Sequence, residues 1–244
     1  MSADLPVRGG PLGARLLRRF GAWTIRRDLA THYRRVVHAG ADGDPAPGRP
    51  MVVYANHHVH HDSYLIVHWL LRHRARPVVV WMAEWARAPL FGPLGALPFP
   101  AEDARERTAT IRETARRMTA DPRTALVLFP EGVMHPADDG IWPFRADLPR
   151  LARLLPPETA WLPVGVHLAG WGESRPTIVL ATGEPHDAPD GREPERLTAT
   201  HDAARATRPA DLAAGRARLL LDGARGPDER WDLSRLAPLM RRWT

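Results

Sequence analysis

Apolar residues recur along the chain in two rhythms. Over residues 11–38, "PLGARLLRRFGAWTIRRDLATHYRRVVH", Leu12, Leu16, Phe20 and Trp23 follow one another at spacings of four and three, which places them on one helical face. Arg15, Arg18, Arg19, Arg26 and Arg27 crowd the other faces, so the pattern predicts a basic amphipathic helix. Such a helix either lies in a bilayer interface or packs on a domain with a solvated basic back, and the periodicity is the same in both cases. A turn-rich stretch, "AGADGDPAPGRP", follows. From residue 51 the rhythm changes. Short, β-branched apolar runs at 51–56, 77–83, 125–129 and 161–167 read as buried strands, with a further strand at 176–182. Helical spacing fills 62–73, 103–120 and 194–222. This alternation predicts an α/β fold, with a largely parallel (mixed) central sheet flanked by helices. The tail "WDLSRLAPLMRRWT" repeats the basic, aromatic, leucine-rich character of the N-terminus. The expected organisation is therefore an amphipathic helix and linker over 1–48, then one α/β domain over 49–244 that ends in a second amphipathic helix.

Composition narrows the chemistry. The formal net charge is +6, and every one of the 34 basic residues is arginine. Without lysine there is no phosphate-loop lysine, no kinase strand lysine and no Schiff-base amine. Without cysteine there is no disulfide framework, thiol nucleophile or thiolate-held zinc. No apolar run approaches the roughly 18 residues of a membrane span, and arginines interrupt every N-terminal apolar stretch. The expectation is a cytoplasmic protein, peripheral on the inner face of the membrane. The arginines are scattered over helices and tails and form no stripe interleaved with stacking aromatics, so no nucleic-acid partner is expected.

The densest chemistry is "MVVYANHHVHHDSYL" at 51–65, with four histidines and an aspartate at a strand end. Two readings compete. In the first, His58, His60 and Asp62 hold zinc in a metal-dependent hydrolase, because neutral imidazoles and a carboxylate suit that ion. The spacing resembles the HxHxDH motif of the metallo-β-lactamase superfamily, except that Ser63 stands where the last histidine belongs. His135, His167 and His186 sit in contexts that suggest no ligand set. In the second reading, His57 is a base oriented by Asp62. Five residues of continuous helix would turn the two apart by about 500°. They meet if His57 ends a strand and Asp62 caps the following helix, for which "DSYLIVHWLL" is suited. The carboxylate would then fix the imidazole tautomer and leave the other ring nitrogen to take a proton.

A second segment bears on the choice. "TALVLFPEGVMHP" runs a buried-looking strand into Phe129-Pro130-Glu131-Gly132, at the carboxyl end where parallel sheets place their sites. Asn56-His57-x4-Asp62 followed by FPEG resembles the glycerolipid acyltransferase superfamily (PlsC-type, the lysophosphatidic acid acyltransferases), and "WLPVGV" at 161–166 is similar to a later strand motif of that family. The resemblance covers roughly residues 50–185. It implies a general base, His57, that deprotonates an acceptor hydroxyl for attack on an acyl thioester, with Asp62 orienting it. Phe129, Pro130, Glu131 and Gly132 would line the acceptor site, Glu131 binding the acceptor's polar head. The co-substrate would be acyl-CoA or acyl-ACP, the acceptor a lysophospholipid or another lipid or glycosyl hydroxyl. No metal and no further cofactor would be needed. None of the four serines, Ser2, Ser63, Ser174 and Ser234, lies in a GxSxG elbow, which agrees with direct transfer. Asn56, the single asparagine of a chain that lacks glutamine, would support the motif or simply form a turn.

The chain departs from the family pattern at the phosphate. Where family members place an arginine, at the strand end between the motifs, this chain has Pro100–Asp103, and Arg105 and Arg107 come later. Val133-Met134-His135 stands where the family often has Thr-Arg-Ser. Arg145, in "WPFRADLP", could replace a lost phosphate contact. A phosphate dianion without bidentate arginine lacks its best partner, so an acceptor other than a simple phosphate monoester is expected.

Overall fold

The computed structural model describes residues 11–227 apart from residue 42. The tail at 231–244, read above as amphipathic, lies outside the described residues. The chain runs α1 (Pro11–His32), β1 (Arg35–Ala39), β2 (Met51–Ala55), α2 (Asp62–His73), β3 (Val78–Met82), β4 (Ala96–Pro98), α3 (Ala104–Ala120), β5 (Ala125–Leu128), α4 (Leu148–Ala152), β6 (Ala160–Ala169), β7 (Thr177–Thr182), α5 (Glu193–Ala206), α6 (Pro209–Ala213) and β8 (Ala217–Asp222). The eight strands form one sheet in the order β4-β3-β5-β2-β6-β7-β1-β8. Pairing is parallel from β4 through β6 and between β1 and β7, and antiparallel at β6–β7 and β1–β8. The expected α/β class with a mixed, mostly parallel sheet is what the strands form.

The period of two along each strand divides the core into layers. On β2, Met51, Val53 and Ala55 face a cluster that includes Ile25 and Leu29 of α1 and Leu65, Ile66 and Trp69 of α2. Val52 and Tyr54 face the opposite cluster, with Met118 of α3, Leu148 and Leu151 of α4 and Leu197 of α5. All five residues of β2 are buried, as a strand covered on both faces requires. Asp103 caps α3 by accepting from the Glu106 amide. Gly165 lets α5 close on β6: a Cβ there would lie 2.5 Å from the Cα of His201.

Two expectations fail at element level. The helix predicted over 11–38 ends at His32, and Arg35–Ala39 is a strand between β7 and β8. The boundary placed at residue 48 therefore cuts through one sheet. The turn-rich segment after β1 is also stapled to the domain. The guanidinium of Arg76, 1% exposed, donates to Asp44 and to the carbonyls of Arg49 and Arg123. The helix predicted over 194–222 breaks after Ala206. Thr207 turns extended ahead of Pro209, and the chain returns as the edge strand β8. β4, three residues long, carries no signal of its own in the sequence.

Candidate active site

Strand register explains how two distant motifs meet. β2 and β5 are parallel neighbours, with Tyr54 opposite Leu128. His57 and Glu131 each lie three residues beyond that pair, so both loops leave the same edge of the sheet side by side.

His57 follows β2, and Asp62 is the first residue of α2. The turn between them brings His57 Nδ1 to 3.2 Å from Asp62 Oδ2. The same oxygen accepts the backbone amides of His58 and Val59 at 2.8 and 2.9 Å. Asp62 thus closes its own turn and does not cap the helix; His61 occupies the cap position, with no side-chain bond to the helix. The Asp62 side chain is fully buried, whereas that of His57 is 25% exposed. The imidazole lies against the Phe129 ring, centroids 4.3 Å apart and 21° from parallel. Packing below and a carboxylate at Nδ1 leave Nε2 as the edge that can serve a substrate.

Glu131 departs from the role the resemblance implies. It was expected to bind the acceptor's polar head, yet its side chain is fully buried and both oxygens are engaged within the protein. Oε1 accepts the His57 amide, and Oε2 accepts the Trp142 amide and the His135 ring Nε2–H. The His135 amide in turn donates to the His57 carbonyl at 3.1 Å. The peptide of residue 57 is therefore gripped on both sides by the segment that carries FPEG. His135 was dismissed from sequence. Its only signal there is a position four residues after Glu131, and nothing in the pattern of polarity reveals the inward turn.

Asn56 is fully buried and acts as an extra rung of the sheet. Its amide donates to the Val166 carbonyl and accepts from the Val166 amide. It also donates to His58 Nδ1, while His58 Nε2–H donates to the Gly140 carbonyl. Asn56 thus orients His58 and supports His57 only through the backbone. His58, Glu131 and His135 bring one ligating atom each within 4.8 Å of the others, but the bonds just described occupy those atoms. Burial lowers the pKa of His58, the Glu131 charge opposing that shift. The His58, His60, Asp62 set proposed from sequence does not assemble. His58 points to His135 and His201, His60 lines the cleft described next, and Asp62 is turned to the loop amides.

Beside His57 opens a cleft of about 440 Å³ whose walls include Ile25, Val67, Val80, Met82, Phe91 and Leu94, a mainly apolar lining. Ser63 also borders it, as the second residue of α2. Arg87 is its single arginine, and that side chain is paired with Glu84. Pro130 accepts the backbone amide of Arg145, whose methylenes lie over Gly132. Gly132 has φ +73°, a conformation that suits glycine at this tight approach. The Arg145 side chain is exposed and makes no ion pair among the described residues. Arg107 is spent on the carbonyls of Pro100 and Ala101. The displaced arginines of the family pattern thus do not return to the site through Arg107.

A second, larger cleft of about 1370 Å³ opens near the amino ends of β3 and β5, lined by Arg18, Arg19, Arg26, Arg72, Arg116 and Arg117 among others. Arg116 and Arg117 bond to Glu113, while the other four have no acidic partner among the described residues. Leu12, Leu16, Phe20 and Trp23 are exposed along the same α1. No helix among the described residues is long and apolar enough to cross a membrane.

A quarter-exposed imidazole beside a buried carboxylate stands at the mouth of an apolar cleft on an α/β sheet, an arrangement that can accept a proton from a bound hydroxyl. The chain belongs to the Acyltransferase family: a family model of that description matches residues 28–167, more than half of its length, and spans both motifs. Among solved structures, the 1-acyl-sn-glycerophosphate (LPA) acyltransferase PlsC of Thermotoga maritima is similar at 17% identity. The match covers 79% of this chain and 77% of that one, with a TM-score of 0.46. No curated protein matches.

Proposed function

We propose that this acyltransferase moves a fatty acyl group from an acyl-CoA or acyl-ACP thioester to a hydroxyl of a lipid or glycosyl acceptor by direct attack. The observation that carries the reading is the His57–Asp62 pair at the edge of the apolar cleft, its backbone clamped by Glu131 and His135. The acyl chain occupies the cleft, with the thioester carbonyl beside His57. His57 Nε2 takes the acceptor's hydroxyl proton as the oxygen adds to the carbonyl carbon. The C–S bond then breaks, and the departing thiolate receives the proton from the imidazolium. Asp62 holds the ring and offsets its positive charge during the exchange. Exposed Arg145, whose methylenes lie over Gly132, would meet a polar acceptor head. A site with so little arginine favours an acceptor without a phosphate monoester.

The reading extends to the membrane surface. The apolar edge of α1 and its arginines suit an interfacial helix on an anionic leaflet, near which a lipid acceptor is met.

Acyl transfer from a labelled thioester into a total lipid extract tests the chemistry. His57→Ala and Asp62→Asn are expected to lower labelling by about 10²–10⁴-fold, the range of a lost general base. Equal labelling by both variants and the wild type would remove the proposed roles.

A further inference from the structure

The catalytic loop carries further histidines that the reaction does not use, and one of them faces α1. His61, directly before Asp62, turns away from the cleft and towards α1. Its Nε2 lies 2.8 Å from Asp28 Oδ2, and its Nδ1 lies 2.9 Å from the Tyr33 hydroxyl. His32 stands one helical turn after Asp28, with Nδ1 3.4 Å from Asp28 Oδ1, and its ring centroid is 4.9 Å from that of His61. One ligating atom from each of Asp28, His32 and His61 lies within 4.8 Å of the others. We propose that Asp28, His32 and His61 form a surface site for a divalent transition cation, zinc being the type, which joins α1 to the loop that carries His57 and Asp62.

The donor chemistry fits that class of ion. Two imidazoles and one carboxylate are the ligands of mixed nitrogen–oxygen zinc sites, and imidazole also suits copper and nickel. Residues four apart on a helix share one face, so Asp28 and His32 form the two arms of a clamp. Metal–ligand bonds of about 2.0–2.1 Å at tetrahedral angles separate neighbouring ligand atoms by roughly 3.3 Å. The separations are 2.8 Å from His61 Nε2 to Asp28 Oδ2 and 3.4 Å from His32 Nδ1 to Asp28 Oδ1, so a turn of the carboxylate or of the exposed His32 ring would present one oxygen to both imidazoles.

Tyr33 supplies the outer support. It is buried, with a hydroxyl that accepts as well as donates. The proton of His61 can therefore sit on Nδ1, donated to the Tyr33 oxygen, which frees the Nε2 lone pair for the cation without net proton release. A ligating histidine held through its other nitrogen is the usual arrangement around such ions. His32 is about half exposed, so it can turn either ring nitrogen inward, and the remaining coordination positions open to water.

Calorimetric titration of the untagged full chain with zinc chloride, after dialysis against a chelator, tests the site. One equivalent is expected to bind, and His32→Ala is expected to weaken it at least tenfold while leaving acyl transfer measured without metal unchanged. Copper(II) loaded at one equivalent should show magnetic coupling to two imidazole nitrogens by electron paramagnetic resonance, and to one in His32→Ala. Absence of zinc uptake, or an unchanged affinity and coupling in the variant, would overturn the assignment. The wild-type and variant proteins differ at one exposed side chain, so loss of folding does not confuse the comparison.

Discussion

Glu131 is the residue whose position changes the expected chemistry most. A carboxylate that contacts an acceptor is felt in acceptor affinity. One that grips the His57 amide is felt in how well the base is aimed. Removing it leaves a buried amide, the Trp142 amide and His135 without their acceptor, which costs about 1–3 kcal/mol per unsatisfied group. Glu131→Gln should therefore lower kcat at least tenfold and leave the acceptor KM within about twofold; a steady-state comparison with acceptor varied separates the two roles. His57 and Asp62 were legible in the sequence because their spacing works only across a break, and the helix pattern begins at Asp62. Glu131 was legible as a position at a strand end but not as an orientation. Its partners are a backbone amide eleven residues onward, another across the sheet, and a ring four residues away. None of these leaves a trace in local polarity.

At the scale of elements, the strands that read clearly were the largely buried ones, β2, β3, β5, β6 and β7, whose apolar runs are rich in Val and Leu. The misread segments lack such a signature. Tyr33, Val36 and Val37 continue a pattern compatible with the preceding helix, and no glycine or proline separates them from it. β8 is an edge strand with two exposed residues in sequence, so its pattern is not alternating. Packing of helices on the sheet also has a pH consequence. Burial pushes the pKa of His68 on α2 down to about 4, with His73, Arg72 and Arg26 adding to the shift. Burial likewise pushes His201 on α5 down to about 4; His58, His167 and Arg205 add to it and Asp202 opposes it. Both are neutral in the fold, whereas the unfolded chain protonates them near the ordinary value of about 6.5. Between about pH 6.5 and 4 the unfolded state binds more protons, so stability falls as pH falls, by up to about 1.4 kcal/mol per pH unit for each group. It is fully present above that window. Urea unfolding at pH 7 and pH 5 should show the loss, and His68→Leu should flatten the dependence.

The whole molecule is asymmetric in charge. Four arginines without acidic partners among the described residues gather in the large cleft, and the apolar edge of α1 runs beside them. The apolar edge was readable from its helical spacing, but the arginine grouping was not, because Arg72 reaches the cleft from α2 while Arg18, Arg19 and Arg26 come from α1. Binding to vesicles that contain anionic phospholipid should weaken steeply with added salt, and Arg26→Gln with Arg72→Gln should reduce it by about 1 kcal/mol per charge. Sedimentation with neutral vesicles as the control measures both effects; equal binding to neutral and anionic vesicles would separate α1 from any electrostatic docking.

The alignment of β2 with β5 also bears on how the protein can change over time. Residues 57 and 131 stand abreast because the two strands start level and run the same way. Inserting or deleting a single amino acid in either one would slide its loop by about 3.3 Å and turn every following side chain to the opposite face. Drift in length is therefore confined to surface connections that carry no bond to the two motif loops, while the base stays where it is.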